Sequence, residues 1–215
     1  MDAQKRAAAI AAIEIAKQHS VIGVGTGSTV NYFIEELAKI KGNIDTVVAS
    51  SEDTAKRLKE QGFHVADLNY VGEVPIYIDG ADKIDPRKQM IKGGGAALTR
   101  EKILAKSAKQ FVCIVDETKE IDVLGEFPVA VEVVPMARGY VARQIVKLNA
   151  DPVYRENVVT DNGNIILDVH NLDLTDALNV ENTLNQITGV VENGVFASRR
   201  ADTVLVATSN GVVTK

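Results

Sequence analysis

The sequence predicts an α/β fold: a mostly parallel, Rossmann-like sheet domain joined to a second, smaller, ferredoxin-like α+β domain. Three observations predict it. Up to about residue 125, short apolar runs without alternation, such as Phe111-Val112-Cys113-Ile114-Val115, are separated by helical segments. Such runs mark strands buried on both faces of a parallel sheet. From about residue 129 the order becomes β-α-β-β-α-β, the ferredoxin-like arrangement. The last apolar run, residues 203–207, falls outside that unit and is expected to return to the first sheet. The predicted domains are therefore residues 1–127 plus 203–215, and residues 128–202.

In the first half, residues 3–18 form a helix, with Ile10, Ile13 and Ala16 on one face. A strand over 21–24 leads through a glycine turn to a helix over 29–39. The strand 46–49 ends in Ser50-Ser51 and precedes a helix through Leu58, with a short strand at His64-Val65. Strands 74–78 and 111–115 come next, with a helix ending near Ala108 between them. In the second half, strand 129–134 leads to helix 136–148. Strands 153–159 and 165–169 flank Asp161-Asn162-Gly163-Asn164, a strong hairpin signal. Helix 176–187 and strand 190–196 complete the unit.

The bulk numbers exclude several function classes. The 215 residues include 46% hydrophobic and 25% charged side chains, the mix of a soluble globular protein. A net charge of −5 repels a polyanion, so nucleic acid is not an expected partner. The single cysteine, Cys113, cannot form an intramolecular disulfide and reads as a small buried hydrophobe. His19, His64 and His170 lack ligand spacing, so no metal site is expected. Lys5-Arg6 before an alanine-rich stretch loosely mimics a signal peptide, but Glu14 and Lys17 interrupt it. A cytoplasmic protein without a membrane span is expected.

Ligands of parallel sheets bind at the carboxyl ends of the strands, so the segments after each strand carry the functional reading. Gly23-Val24-Gly25-Thr26-Gly27-Ser28-Thr29 offers amides, hydroxyls and a helix start to an anion. It lacks the lysine of a P-loop and the third glycine of a dinucleotide fingerprint, and a tight turn is the plainer alternative. Asp79-Gly80-Ala81-Asp82 places two carboxylates three residues apart, suited to sugar hydroxyls or proton transfer, or to capping a turn. Lys92-Gly93-Gly94-Gly95 is costly in backbone entropy, which suits a close approach to a ligand or a hinge. Lys92 adds positive charge there. Glu101, two residues after Thr99, reads on spacing alone as a helix-start acid if Thr99 is the N-cap. Lys119 reads by default as a surface lysine.

These segments, GVGTGSTV at 23–30, DGAD at 79–82, MIKGGGAALTREKI at 90–103 and VVTDNGN at 158–164, resemble type A ribose-5-phosphate isomerase in order and spacing over essentially the whole chain. The resemblance implies interconversion of ribose 5-phosphate and ribulose 5-phosphate through an enediolate, without a cofactor. It makes Thr26, Gly27, Ser28 and Thr29 a substrate-binding loop, and Asp79, Gly80, Ala81 and Asp82 a second binding segment. Lys92, Gly93, Gly94 and Gly95 form a third, with Lys119 the remaining substrate-binding lysine. Glu101 matches the catalytic base, with Asp79, Asp82 and Lys92 assisting. It also implies a homodimer or a dimer of dimers. Lys83, where an acid is expected, and the basic stretch 198–202 depart from the family pattern without touching a catalytic position.

Two rival readings remain open to test. A non-catalytic sugar-phosphate sensor of the same fold would need a DNA-binding module, and only about 20 residues precede the first strand. A nicotinamide-dependent oxidoreductase is disfavoured by the broken fingerprint and by Ser50-Ser51 where a ribose-binding acid is expected.

Overall fold

The computed structural model describes all residues, 1–215. In chain order it runs α1 (Asp2–Ala16), β1 (Val21–Val24), α2 (Ser28–Leu37), β2 (Thr46–Ala49), α3 (Glu52–Glu60), β3 (Val74–Asp79), β4 (Lys83–Ile84), β5 (Met90–Ile91), α4 (Leu98–Ser107) and β6 (Ala108–Asp116). The chain continues with β7 (Val129–Val133), α5 (Arg138–Val146), β8 (Asp151–Tyr154), β9 (Ile165–His170), α6 (Ala177–Asn185), β10 (Val190–Asn193), β11 (Val195–Phe196), β12 (Thr203–Thr208) and β13 (Gly211–Thr214). Two units result: Met1–Ala81, Arg100–Lys119 and Ala201–Lys215 form the first, and Asp82–Thr99 with Glu120–Arg200 the second.

The first unit is built on a six-stranded sheet in the order β13-β12-β6-β3-β1-β2. Every pairing is parallel except the β12–β13 hairpin. The expected return of 203–207 to this sheet is met by β12 lying beside β6. Strand β13 was not expected, although Asn210-Gly211 is the same kind of turn signal as Asn162-Gly163.

Strand parity sorts the core. Ile22, Val24, Ile76, Ile78, Val112 and Ile114 face a cluster completed by α1, α2 and α3. Ala8, Ala9, Ala12 and Ala16 of α1 are fully buried there; their missing bulk lets the helix backbone approach closely. The alternate residues Gly23, Tyr77 and Phe111 lie on the other face, where Tyr77 and Phe111 stack at 5.1 Å and Leu104 of α4 approaches Gly23. Cys113 is buried, as expected.

The second unit holds a four-stranded antiparallel sheet in the order β10-β7-β9-β8, the ferredoxin-like order. Val129, Val131, Val133, Ile165, Leu167 and Val169 face a core shared with Val141, Ile145, Ala177 and Leu184 of the two helices. Ala130 and Ile166, of opposite parity, pack instead on Leu98, Ala96 and Val158.

Three expectations change here. The strand foreseen over 190–196 divides at Gly194 into β10 of the large sheet and β11 of a small sheet, β11-β5-β4. A Cβ at Gly194 would lie 2.1 Å from the Lys92 carbonyl oxygen, and Lys92 N–H donates to Gly194 O at 2.9 Å. Only glycine allows that crossing. Residues 82–99 and 120–127, which the sequence reading set in the first domain, group with the second unit. Finally, β8 stops at Tyr154, not near 159: Arg155 N–H makes one more ladder bond to Ile166 O, and the turn closed by Thr160 and Asn164 sits at the tip of a longer loop.

Candidate active site

In the first unit the parallel strands β2, β1, β3 and β6 end at Ala49, Val24, Asp79 and Asp116, on one edge of the sheet. The glycine loop leaves β1 there. Its first amide, Gly25 N–H, continues the ladder to Ile78 O at 2.8 Å. Asp79 is fully buried and organises the backbone around it: Oδ1 accepts from the N–H groups of Thr26 at 3.0 Å and Gly80 at 2.7 Å, and Oδ2 accepts from the Tyr77 hydroxyl. A Cβ at Gly25 would sit 2.0 Å from the Asp79 Cγ, so the carboxylate itself demands glycine at that position.

Hydroxyls surround the loop. Thr26 Oγ1 donates to Ser51 Oγ at 2.8 Å and lies 2.9 Å from Ser50 Oγ, while Thr54 Oγ1 donates to Gly25 O at 2.7 Å. Ser51 also caps α3 by accepting from Thr54 N–H at 3.1 Å. Gly27 is the N-cap residue of α2, and Ser28 and Thr29 open that helix, where backbone N–H groups and the helix dipole favour an anion. Lys5 of α1 donates to Ser28 Oγ at 3.0 Å and brings a positive charge beside it.

Glu101 stands in the first turn of α4 and is 4% exposed, so it is not a solvated helix-face acid. The Tyr77 phenol reports on it. Burial first, then the charges of Asp79 and Glu101, hold that phenol well above its ordinary pKa. Lys119, half-buried, ends the turn Glu117–Lys119 after β6, which Asp116 fixes by accepting from Thr118 N–H at 3.0 Å.

The second unit gathers the other predicted residues. Asp82, half-buried, is anchored by its N–H on Ile91 O at 2.9 Å and accepts from Gly94 N–H through Oδ2 at 2.8 Å. Lys92 stands just after β5, is 3% exposed and holds its ammonium 5.7 Å from the Phe196 ring centroid, a cation–π contact. Gly93, Gly94 and Gly95 come next, with a turn closed by Ala96 N–H on Gly93 O at 3.0 Å. The α4 helix begins at Leu98, so Thr99 lies inside it, and its hydroxyl donates to buried Glu132.

The first unit therefore brings together Thr26, Gly27, Ser28, Thr29, Asp79, Gly80 and Ala81, with Glu101 buried in the first turn of α4 and Lys119 beyond β6. The second brings together Asp82, Lys92, Gly93, Gly94 and Gly95. Sequence reasoning missed Tyr77, Lys5 and Arg155. Ser50 and Ser51, which bond Thr26, stood out in the sequence only as a strand end, and the other three gave no signal.

A parallel sheet whose strand ends carry a glycine loop, a helix start and buried carboxylates defines an α/β protein suited to a small anionic ligand. The chain belongs to the ribose 5-phosphate isomerase A (phosphoriboisomerase A) family, whose model matches residues 46–211. It is 62% identical over 212 residues to the ribose-5-phosphate isomerase A of Legionella pneumophila (strain Paris), covering 99% of this chain and 98% of that one. The crystal structure of ribose 5-phosphate isomerase A from Neisseria gonorrhoeae superposes with a TM-score of 0.96 at 42% identity, covering 99% and 96% of the two chains. A D-ribose-5-phosphate isomerase in complex with phospho-erythronic acid superposes with a TM-score of 0.94 at 38% identity, covering 99% and 97%.

Proposed function

We propose that this chain interconverts ribose 5-phosphate and ribulose 5-phosphate, with Glu101 as the base that carries a proton between C2 and C1. The observation that carries this reading is the Glu101 carboxylate itself, only 4% exposed in the first turn of α4. In the open-chain aldose, Glu101 takes the proton from C2, and electrons flow to the carbonyl oxygen to give an enediolate. Returning that proton to C1, while the C2 hydroxyl proton passes to the C1 oxygen, leaves the ketose. A positioned base typically contributes about 10²–10⁴-fold.

Negative charge on oxygen peaks in the transition state. Lys92 and the amides of Gly93 and Gly95 supply the compensating donors, each worth roughly 2.7–4 kcal/mol when lost from such a site, while the Gly94 N–H holds Asp82. The two aspartates divide the remaining work. Asp82, half-buried, assists ring opening and the proton transfer between oxygens. Asp79, its oxygens engaged by Thr26, Gly80 and Tyr77, shapes the binding loop alongside Gly80 and Ala81. Thr26, Gly27, Ser28 and Thr29 hold the phosphate, with Lys5 and Lys119 supplying positive charge. That remote binding energy positions the reacting carbons. A carboxylate base, a lysine and backbone amides complete this cycle without a metal.

No helix is long and apolar enough to cross a membrane. The family resemblance supports a cytoplasmic homodimer or dimer of dimers, which light scattering on the eluted protein would test. The functional reading is tested by monitoring ribulose 5-phosphate formation from ribose 5-phosphate. Turnover at ordinary enzymic rates is expected, and its absence would refute the reading.

A further inference from the structure

We propose that Arg155 is a positioning residue for catalysis, orienting the peptide planes of the glycine segment next to Lys92. This inference rests on the functional reading above, in which those amides stabilise the enediolate. The geometry lies wholly within the second unit. Arg155 Nη1 donates to Gly93 O at 3.0 Å and Gly94 O at 3.2 Å. Its remaining donors, Nε and Nη2, fork onto Asp168 Oδ2 at 2.8 Å and Oδ1 at 2.5 Å. Arg155 is rooted by its own N–H on Ile166 O, and Asp168 stands on β9 with the parity of Ile166, on the sheet face away from the helices.

Peptide geometry then sets where the amides point. The chain contains no cis peptide, so each C=O points opposite to the N–H of the next residue. Holding Gly93 O and Gly94 O on one guanidinium turns the N–H groups of Gly94 and Gly95 away from it, side by side. The first is seen to reach Asp82 Oδ2 at 2.8 Å. A three-glycine run has more backbone freedom than any other, and a donor array must be preorganised to act. The guanidinium supplies that order. Its fork is planar and two-sided, so lysine cannot replace it. Side-chain exposures of 19% and 18% for Arg155 and Asp168 keep the pair shielded, unlike a surface ion pair.

Glu132 of β7 secures the far end of the segment and ties it to the β8–β9 connection. Glu132 accepts from Thr99 and also from Thr160, Asn162 and Asn164, with Thr160 at 2.8 Å and Asn164 at 2.8 Å. Residues 93–99 are thus held at one end by Arg155 and at the other by Glu132, which also gathers Thr160, Asn162 and Asn164.

The test compares R155K, R155M and D168N with the wild type and K92M. It reads kcat and KM for ribose 5-phosphate, affinity for phospho-erythronic acid by calorimetry, and thermal unfolding. A loosened donor array should cost R155M about 10–100-fold in kcat, the scale of a small misplacement of catalytic groups. KM should stay within about 3-fold, because the phosphate is held elsewhere. Affinity for phospho-erythronic acid, whose carboxylate mimics the paired enediolate oxygens, should fall in parallel with kcat/KM. R155K, keeping one donor, should fall between, and D168N should lose kcat with arginine still present. If R155M does not fold, R155K and D168N decide by the same measure. Wild-type kcat in the folded R155 and D168 variants, alongside a loss in K92M, would overturn the positioning role and leave the functional reading standing. A wild type without turnover of ribose 5-phosphate would overturn both.

Discussion

Asp79 fixes the backbone of Thr26: its Oδ1 accepts the Thr26 N–H at 3.0 Å, and its Cγ occupies the space where a side chain at residue 25 would begin. The glycine loop is therefore shaped by a carboxylate 53 residues further along the chain, at the end of β3. Hydrogen bonds to a charged acceptor contribute about 1.5–3 kcal/mol each, and Asp79 accepts from Thr26, Gly80 and Tyr77. The backbone of the loop that begins α2 is consequently fixed by Asp79.

Gly25→Ala tests this relationship. Its Cβ would fall 2.0 Å from the Asp79 Cγ, so the carboxylate or the loop must move. Overpacking of this kind costs about 1–3 kcal/mol, which urea unfolding will read. Isomerase turnover should fall with it. An alanine variant of unchanged stability and turnover would show that the loop does not depend on Asp79.

Lys5 and Thr29 test the phosphate assignment. Lys5→Met removes the charge beside Ser28. A lost charge-assisted hydrogen bond of about 1.5–3 kcal/mol predicts a KM for ribose 5-phosphate raised at least about 10-fold. The turnover number should hold, since the phosphate does not react. Thr29→Ala should shift KM in the same direction, and unphosphorylated ribose should be a very poor substrate. Comparable use of ribose and ribose 5-phosphate would reduce the loop to a tight turn.

Tyr77 gives a pH signature. Its phenol pKa is raised in the folded state by burial and by the charges of Asp79 and Glu101, whereas an unfolded tyrosine ionises near its ordinary value of about 10. The neutral phenol is therefore the form that folding favours. The stability advantage of the wild type over Tyr77→Phe should be intact below pH about 10. It should decline as pH rises further, because the unfolded chain sheds the phenol proton first. Urea midpoints of both proteins across that range will show it. An advantage that grows above pH about 10 would contradict the buried pair.

Chelation tests the proton carrier. With a carboxylate base and lysine and amide electrophiles, activity should survive exhaustive EDTA treatment. A complete loss, restored by a divalent cation, would contradict the metal-free cycle.

Much of the fold was legible because strand parity and helix periodicity are local signals. Phe111 to Val115 reads as a buried strand without knowledge of its neighbours, and β6 is one. The illegible parts depend on contacts distant in sequence. Gly194 splits a strand because the Lys92 carbonyl passes beside it, and nothing near residue 194 announces that. The Thr160–Asn164 turn was recognised, but its withdrawal from the ladder reflects the hold of Glu132 on Thr160, Asn162 and Asn164. At the site, the loops after strands were visible from glycine and acid spacing. Arg155, 62 residues from the Gly93 carbonyl it holds, was not. Glu101 lies between these cases: its first-turn position was readable, its burial was not, and its role came from family resemblance.

The most direct test of the account is the turnover number of Glu101→Gln. Glutamine keeps the shape of the side chain and cannot take a proton from carbon at neutral pH. The helix-dipole contribution lost from the first turn of α4 is only about 0.3–1 kcal/mol, so the variant should fold. If Glu101 is the base, kcat for ribose 5-phosphate should fall by two or more orders of magnitude while the substrate still binds. A folded Glu101→Gln protein with near-normal kcat would contradict the account and move the search for the base to Asp79 or Asp82.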